Sequence, residues 1–418
     1  MSMTKTKNNV KKDPLMHLTR LPDPKMGHYW LSKLITVVFA LLICASITTM
    51  MEPDSFLSFF KYLWVGNFSN KLQVLRLFQE TAILLLIALA LTPAFKMKFW
   101  NIGGEGQVLM GILGSVICLK YLTGKMPNAM LIISCLAMAI LFSIVWATIP
   151  AIFKAFFKTN ETLFTLMMNY LALGLVNYFI YIWAPKDHSV GILNQSTRKG
   201  WLPKLFGQEF LLNIIIVIVV TVLVFVYLRF SKHGYELTVV GESQNTARYV
   251  GINVKKTIIR TLVLSGALCG LAGFLLVNGT IPTITTDAVG GNGFTAILVA
   301  WLGHFNPFEM IFTAFLVSFI TLGGSYAGDI FYFGGAYPKV LIGVFFFLFI
   351  ISEFFLRYKI NFSVEAQAFF KKVRDFLMKI LGPVGRFFKK IGLAIANFFK
   401  KLFKKKEPLE EANKDKEE

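Results

Sequence analysis

The sequence predicts an all-α, polytopic membrane protein with about ten transmembrane helices and a C-terminal amphipathic helical extension. Hydrophobic residues make up 55 % of the chain and charged residues only 16 %, whereas soluble proteins carry about 25 % charged residues. Several apolar runs reach about twenty residues, the length that crosses the hydrocarbon core of a bilayer. These observations exclude an ordinary soluble enzyme.

Ten apolar runs are the candidate membrane spans, and together they define a transmembrane domain over residues 31–356. A basic segment over residues 1–30 precedes this domain. A basic amphipathic tail over 357–406 and a charged, disordered terminus over 407–418 follow it. The runs cover 31–51, 75–95, 102–122, 129–153, 162–183, 210–230, 259–278, 288–303, 308–326 and 338–356. The eighth run is short and flanked by glycines, so a re-entrant segment is the alternative there.

The net charge of +20 follows the membrane topology and does not indicate nucleic-acid binding. The stretch 357–418 alone carries 16 Lys and Arg against 8 Asp and Glu. If all ten runs cross and both termini are cytoplasmic, most basic residues between the spans lie on the cytoplasmic side, as the positive-inside rule requires. If the eighth run did not cross, the basic tail would lie outside. The tail has apolar residues at helical spacing and a Lys-rich polar face, which is typical of a helix on an anionic bilayer surface.

Polar residues and glycines open the third span. Asn101, Glu105 and Gln107 stand among three glycines at a membrane boundary, where unpaired polar groups are costly. One interpretation is a broken or tightly packed helix that lines a pathway. The other is an ordinary helix start, with Asn101 as the N-cap and Glu105 in the first turn, where an acid suits the helix dipole. The cysteines and histidines show no metal-binding spacing, so no metal site is expected.

Further polar residues lie within other spans. Asn169 and Asn177 lie in the fifth span and Asn292 precedes the eighth. They could contact a polar solute, or they could form hydrogen bonds between helices. Gly266 and Gly270 form a small-xxx-small pair in the seventh span, which predicts close helix packing.

Three stretches carry a resemblance to a known family. The sequence NIGGEGQVLMGILGS at 101–115 resembles the signature of bacterial ABC importer permeases for nucleosides and simple sugars, which are related to ribose and branched-chain amino-acid permeases. The segments 159–170 and 234–254 resemble two further blocks of the nucleoside-type group. The resemblance implies a permease in the bacterial plasma membrane, with a nucleoside or another ribose-containing solute as the cargo. A monosaccharide or a branched-chain amino acid is the alternative cargo.

The resemblance also implies partners. In these permeases the loop at 231–258 holds the coupling helix that docks on a cytoplasmic ABC ATPase. The residues expected to couple to the ATPase are Gly241, Glu242, Asn245, Ala247, Arg248 and Gly251. The family often has Glu-Ala-Ala where this chain has Asn-Thr-Ala, so only Ala247 and Gly251 match it well. A second permease subunit, identical or different, and an extracytoplasmic solute-binding lipoprotein complete the assembly. The chain has no GxxxxGK[ST] phosphate loop, so we expect no cofactor in this chain, with ATP and Mg²⁺ used by the partner ATPase.

Two other classes of membrane protein are alternatives to a permease. An ion-coupled secondary carrier would need charged ion sites in mid-membrane and an inverted repeat. An integral membrane enzyme would need clustered His, Asp or Lys groups at an interface. Neither pattern is clear in the sequence.

Overall fold

The computed structural model describes residues 16–22, 26–53, 55–185 and 190–362. They divide into two compact units: one takes in the described residues up to Lys33 and from Ile351 onward, and the other is Leu34–Ile350. The helices are α1 Met26–Met51, α2 Phe56–Phe68, α3 Lys71–Lys96, α4 Gly104–Leu122, α5 Asn128–Phe157, α6 Glu161–Trp183, α7 Leu211–Phe230, α8 Lys232–Glu242, α9 Gln244–Tyr249, α10 Val254–Gly279, α11 Asn292–Leu302, α12 Pro307–Ile330 and α13 Tyr337–Arg357. The two strands are β1 Met16–Arg20 and β2 Tyr358–Phe362.

The predicted fold class is confirmed. Nine helices in the described ranges are long and apolar enough to cross a membrane. Each corresponds to one of the ten predicted runs. Local polar residues start several of them, because a side-chain oxygen at the N-cap satisfies a backbone N–H that the helix leaves free. The residues that cap a helix in this way are Asn70, Asn160, Ser231, Ser243, Asn253 and Asn306.

Helix α3 forms the centre of the larger unit. Its residues from Thr81 to Phe95 are all buried. A helix that is apolar on every side is stable only when other helices surround it, and α3 packs against α10, α11, α12 and α7. This burial explains why the second predicted span has no polar face.

Glycines bring α4, α5 and α10 into close contact, as predicted for Gly266 and Gly270. A Cβ atom added at Gly270 would lie 2.6 Å from the carbonyl oxygen of Ala139, and one added at Gly266 would lie 2.8 Å from that of Ser143. In α4, a Cβ at Gly111 would lie 2.9 Å from the Cα of Gly270. Side chains larger than hydrogen would push these backbones apart, so the glycines set the spacing of the three helices.

The chain from Thr280 to Phe305 contains the eighth predicted run, 288–303, and extends along most of α3, but only residues Asn292–Leu302 of it are helical. At one end, Thr280 accepts a hydrogen bond of 2.8 Å from the Gln79 amide of α3. At the other end, the Phe305 ring stacks on Phe95 of α3 with ring centroids 5.9 Å apart. These two positions on α3 are separated by about 24 Å at 1.5 Å per residue, most of a hydrocarbon core of about 30 Å. We call residues 280–302 the broken crossing, because irregular chain leads into the short helix α11.

Two features of the structure were not predicted. Helix α2 is too short to cross, at about 20 Å, and packs its buried face of Phe59, Leu63 and Asn67 against α12. The predicted tail begins as a strand and not as a helix: β2 pairs with β1 in antiparallel register, with Leu18 opposite Ile360. The remainder of the predicted tail, from 363, and residues 1–15 lie outside the described residues.

The strand pair joins the two ends of the described chain. Residues 16–20 precede the first span and residues 358–362 follow the last, and the two strands are hydrogen-bonded to each other. Both strands belong to the smaller of the two units. Beside the strands, Glu353 forms ion pairs with Lys33 at 2.8 Å and with Arg357 at 2.7 Å.

Candidate functional site

Helices α4 and α11 start at the same level of the helix bundle. Helices α4 and α10 run in the same direction, since Gly111 packs on Gly270 and, further along, the Ser115 hydroxyl bonds to the Asn278 side chain. Counting along both helices places Glu105 about 15 Å from the start of α10, a helix about 39 Å long. The start of α11 contacts Glu105 and lies at the same depth. The starts of α4 and α11 therefore lie at one depth in the bundle.

The chain ahead of α4 is held by a buried amide network. The Asn101 side-chain oxygen accepts hydrogen bonds from the backbone N–H of Gly103 at 3.1 Å and from the Gln107 amide at 3.2 Å. The Asn101 amide nitrogen donates to the Ser265 hydroxyl of α10 at 3.3 Å. Asn101 and Gln107 are both buried. Their contacts close the unwound turn on itself and fix it to α10, which matches the tightly packed interpretation of this segment.

Asn169 of α6 holds the same turn from the other side. Its side-chain oxygen accepts from the Gly106 N–H at 2.9 Å, and its amide nitrogen donates to the Ile102 carbonyl at 2.9 Å. One turn earlier, the Thr165 hydroxyl accepts from the Ile102 N–H at 3.2 Å. The Asn169 side chain therefore completes backbone hydrogen bonds that the broken helix cannot supply itself.

Glu105 joins the two helix starts. One carboxylate oxygen accepts from the Gly291 N–H at 2.9 Å and the other from the Gly293 N–H at 2.7 Å. Glu105 is thus in the first turn of α4 and also caps the N-terminus of α11. The positive ends of two helix dipoles lie next to one carboxylate, which is a favourable place for a negative charge.

One face of α6 is exposed and polar. Asn177 is exposed, and its amide forms no hydrogen bond with the described residues. Exposed tyrosines share this face at helical spacing, and a gap at Gly174 lies among them, where a Cβ would meet nothing within 4 Å. These tyrosines are Tyr170, Tyr178 and Tyr181. We call this surface, from Tyr170 to Tyr181, the α6 polar face; the sequence analysis found Asn177 and missed the tyrosines, although their spacing was a usable signal.

The exposed faces of α5 and α7 are different. The exposed large side chains in the middle of α5 and α7 are aliphatic. They are Ile133, Leu141 and Val145 in α5, and Ile215, Ile218, Val219, Val222, Leu223 and Val226 in α7. Such surfaces suit lipid tails, whereas an exposed amide at membrane depth is costly unless water or protein covers it.

Polar groups also line the irregular half of the broken crossing. Thr286, Asp287 and Gly290 are exposed, and Asn292 is half-buried, with no hydrogen bond from its side chain to the described residues. The chain turns here through Gly290 and Gly291, with φ of +66° and +84°. Residues that carry a side chain rarely adopt a positive φ, so glycine is favoured at this turn. Asn292 therefore lies at this turn, and its predicted place in the pathway stays a prediction.

Most of the internal loop at 231–258 folds into two short helices, α8 and α9, and the predicted coupling helix corresponds to α9. Glu242, Asn245, Arg248 and Gly251 are exposed. Ala247 and Gly241 are buried. A Cβ at Gly241 would lie 2.3 Å from the Lys96 carbonyl oxygen.

The small residues of the loop are buried within this chain, and their role in ATPase coupling stays a prediction. Ala247 and Gly241 pack inside this chain and offer no surface to a partner. The exposed groups of α9 extend further than predicted, since Tyr249 is 91 % exposed and Val250 is also exposed.

The two short helices are fixed to the spans. Arg260 of α10 forms an ion pair of 2.8 Å with Glu236 of α8. Together with the tight contact at Gly241, this pair makes α8 and α9 a rigid projection rather than a loose loop.

On the opposite side, residues 190–209 form a folded cover over the ends of the spans. The Gly200 N–H donates to the Asn128 side chain at 2.7 Å, and the Asn278 amide donates to the Gly200 carbonyl at 2.7 Å. Exposed basic residues, Arg198 and Lys199, lie on this cover. Within the described residues, no group of three or more His, Cys, Asp or Glu side chains could hold a metal ion.

Broken crossings, an exposed polar face on a spanning helix and a rigid projection outside the membrane are together the features of a multi-pass membrane transport subunit. The family of branched-chain amino acid transport system permease components matches residues 73–351. The chain belongs to this family.

Named relatives lie within the same class of transport systems. The chain is 30 % identical over 301 residues to the guanosine ABC transporter permease protein NupP of Bacillus subtilis, which covers 70 % of this chain and 86 % of the relative. It is 28 % identical to the nucleoside ABC transporter permease protein NupB of Lactococcus lactis, over 69 % of this chain and 82 % of the relative. It is also 24 % identical to the glucose ABC transporter permease protein TsgB13 of Haloferax volcanii, over 80 % and 90 %.

Proposed function

We propose that this chain is the permease subunit of an ATP-driven importer for nucleosides or related ribose-containing solutes. The observation that carries the proposal is the α6 polar face. An exposed amide and three tyrosines lie on a spanning helix that also holds the broken start of α4. Lipid would penalise the exposed Asn177, so this face borders an aqueous path or a second permease subunit.

The chemistry of the α6 polar face suits an uncharged solute with several hydrogen-bonding groups. The Asn177 amide both donates and accepts, and the tyrosine rings offer flat surfaces on which a nucleobase can stack. Each neutral hydrogen bond contributes about 1 kcal/mol, so binding stays weak enough for release. The names of the guanosine and nucleoside relatives support the same class of solute. A monosaccharide is the second candidate, since a glucose permease is also a relative.

ATP hydrolysis takes place on partner subunits in this proposal. The sequence contains no GxxxxGK[ST] motif, so a separate cytoplasmic ABC ATPase binds ATP and Mg²⁺, and this chain carries no cofactor and no ATPase site. The exposed side of α9, with Asn245, Arg248 and Tyr249, is the docking surface for that ATPase. In this proposal α9 and both termini lie in the cytoplasm, which the basic charge of the neighbouring segments supports.

The proposed assembly contains two further partners. A second permease subunit faces the α6 polar face and closes the path. An extracytoplasmic solute-binding lipoprotein delivers the solute at the cover formed by residues 190–209. The assembly lies in the bacterial plasma membrane.

Uptake of labelled guanosine tests this proposal. The complete transporter, reconstituted in vesicles, takes up labelled guanosine in an ATP-dependent way, and excess unlabelled nucleosides compete while glucose does not. Asn177→Ala is expected to lower the rate about tenfold, the effect of losing one hydrogen bond together with the ordering of the solute. Leu141→Ala, on the apolar face of α5, serves as the control and leaves the rate unchanged. Competition by glucose alone would favour the second candidate, and equal rates for both variants would refute the path along α6.

A further inference from the structure

We propose that Glu105 is a positioning residue that holds the broken crossing in place, and that it does not contact the transported solute. The inference rests on the transport function proposed above. It concerns the contact between the start of α4 and the start of α11, at Glu105, Gly291 and Gly293. It departs from the prediction that Glu105 lines the path.

Both oxygens of the Glu105 carboxylate are already engaged. They accept from two backbone N–H groups, at 2.9 Å and 2.7 Å, which lie two residues apart at the N-terminus of α11. A side chain held in this bidentate way has a fixed position. Asp287 and Lys339 are the charged side chains that act on it electrostatically, and because their charges are opposite they partly offset each other.

Glu105 supplies the hydrogen-bond acceptor at the start of α11, which in several other helices is the side chain of the N-cap residue. The residue before α11 is Gly291, which has no side chain to cap the helix. The free N–H groups of the first turn would be unpaired inside the membrane, where no lipid group can accept their hydrogen bonds. Glu105, 186 residues away along the chain from Gly291, supplies the acceptor. The cap is therefore a tertiary contact, and it exists only while the two crossings are docked.

The chain beside this contact has few other anchors. Among the described residues, the backbone hydrogen bonds of 285–292 are local, such as Ala288 to Thr285 and Asn292 to Val289. Bonds to the outer cover end earlier, with Leu193 N–H to the Pro282 carbonyl at 2.8 Å and Val190 N–H to Ile284 at 3.4 Å. Glu105 thus fixes the inner end of a stretch that nothing else in the described hydrogen-bond network fixes.

The glycine opposite Glu105 fits the contact closely. A Cβ atom at Gly293 would lie 2.3 Å from the Glu105 backbone nitrogen and 2.7 Å from its carboxylate oxygen. Gly293 therefore permits the approach of the two helix starts, and any larger residue would separate them. Substitutions at Glu105 and at Gly293 should therefore both separate the start of α4 from the start of α11.

The test combines thiol labelling with uptake in the complete transporter. Phe294→Cys introduces a thiol in the first turn of α11, where the native side chain is exposed, while the four native cysteines are buried. A membrane-impermeant maleimide reports how accessible this position is. Glu105→Gln keeps the size of the side chain but replaces one acceptor oxygen by an amide N–H₂ group, which cannot accept the backbone hydrogen bond. Gly293→Ala adds a Cβ atom that separates the two helix starts. Glu309→Gln is the control, since Glu309 also lies in the first turn of a helix but bonds to Asn306 and His304.

We expect Glu105→Gln and Gly293→Ala to raise the labelling rate at residue 294 about tenfold, the effect of losing one hydrogen bond to a charged group. Both changes should lower guanosine uptake, and Glu309→Gln should change neither quantity. Reduced uptake with unchanged labelling in Glu105→Gln would overturn the proposal, because it would indicate that Glu105 contacts the solute. Unchanged labelling and uptake would overturn it as well. If the parent transporter took up no nucleoside, the proposed function would fail while the labelling result stayed readable.

Discussion

The side chain of Asn169 offers a direct measure of what holds the broken start of α4. Replacing it with alanine removes two hydrogen bonds to the backbone, one from Gly106 N–H and one to the Ile102 carbonyl. Asn169 is only 6 % exposed, so water cannot replace these bonds. An unsatisfied buried group costs about 1–3 kcal/mol, but hydrogen bonds between membrane helices average about 0.6 kcal/mol. We therefore expect Asn169→Ala to lower the free energy of unfolding by about 1–4 kcal/mol.

Thermal unfolding of the purified protein in detergent measures this effect. At about 2–4 °C per kcal/mol, the midpoint should fall by several degrees. Asn177→Ala is the matched control: it is the same substitution on the same helix, but Asn177 is exposed and unbonded within the described residues. It should leave the midpoint unchanged and lower uptake instead. Equal midpoints for both variants would refute the assignment of Asn169 to the fold.

Two more predictions concern packing and coupling. Gly270→Val should destabilise the protein strongly, because a Cβ there lies 2.6 Å from the Ala139 carbonyl oxygen, whereas Gly174→Ala should be neutral, because nothing lies within 4 Å; similar melting curves for both would contradict the packing argument. Arg248→Glu and Tyr249→Ala change exposed groups of α9, so each should abolish solute-stimulated ATP hydrolysis while the amount of protein inserted in the membrane stays normal. Full stimulation in both variants would mean that the ATPase docks elsewhere.

The positions of the spans were readable from the sequence, since each long helix is an apolar run bounded by charged residues or by an Asn or Ser cap. The glycines between helices were also predictable, because Gly266 and Gly270 are four residues apart and share one helix face, and small residues at this spacing mark helix contacts in membranes. The helical turns of α9 were also predicted, whereas α8 was not, although Ser231 and Ser243 cap the starts of the two helices.

The roles of the polar residues could not be read in this way. Asn169 and Asn177 are eight positions apart on one helix and have the same side chain. One is enclosed by the turn before α4 and the other is exposed, because eight residues at 3.6 per turn rotate Asn177 by about 80° away from Asn169 around the axis of α6. From the sequence, each residue could contact a solute or form a hydrogen bond between helices. Which of the two applies depends on the group that packs against it in the folded protein.

The sequence by itself determined that the chain is a multi-pass membrane protein of helices, because hydrophobic length and charge distribution are local properties that the bilayer acts on directly. The tertiary structure decided that the eighth crossing is half irregular, that Glu105 caps α11 from a distant segment, and that 358–362 pairs with 16–20. Each of these depends on a backbone group whose hydrogen-bond partner is far away along the chain. No periodicity in the sequence encodes such a pairing, because it is fixed only when the spans pack together.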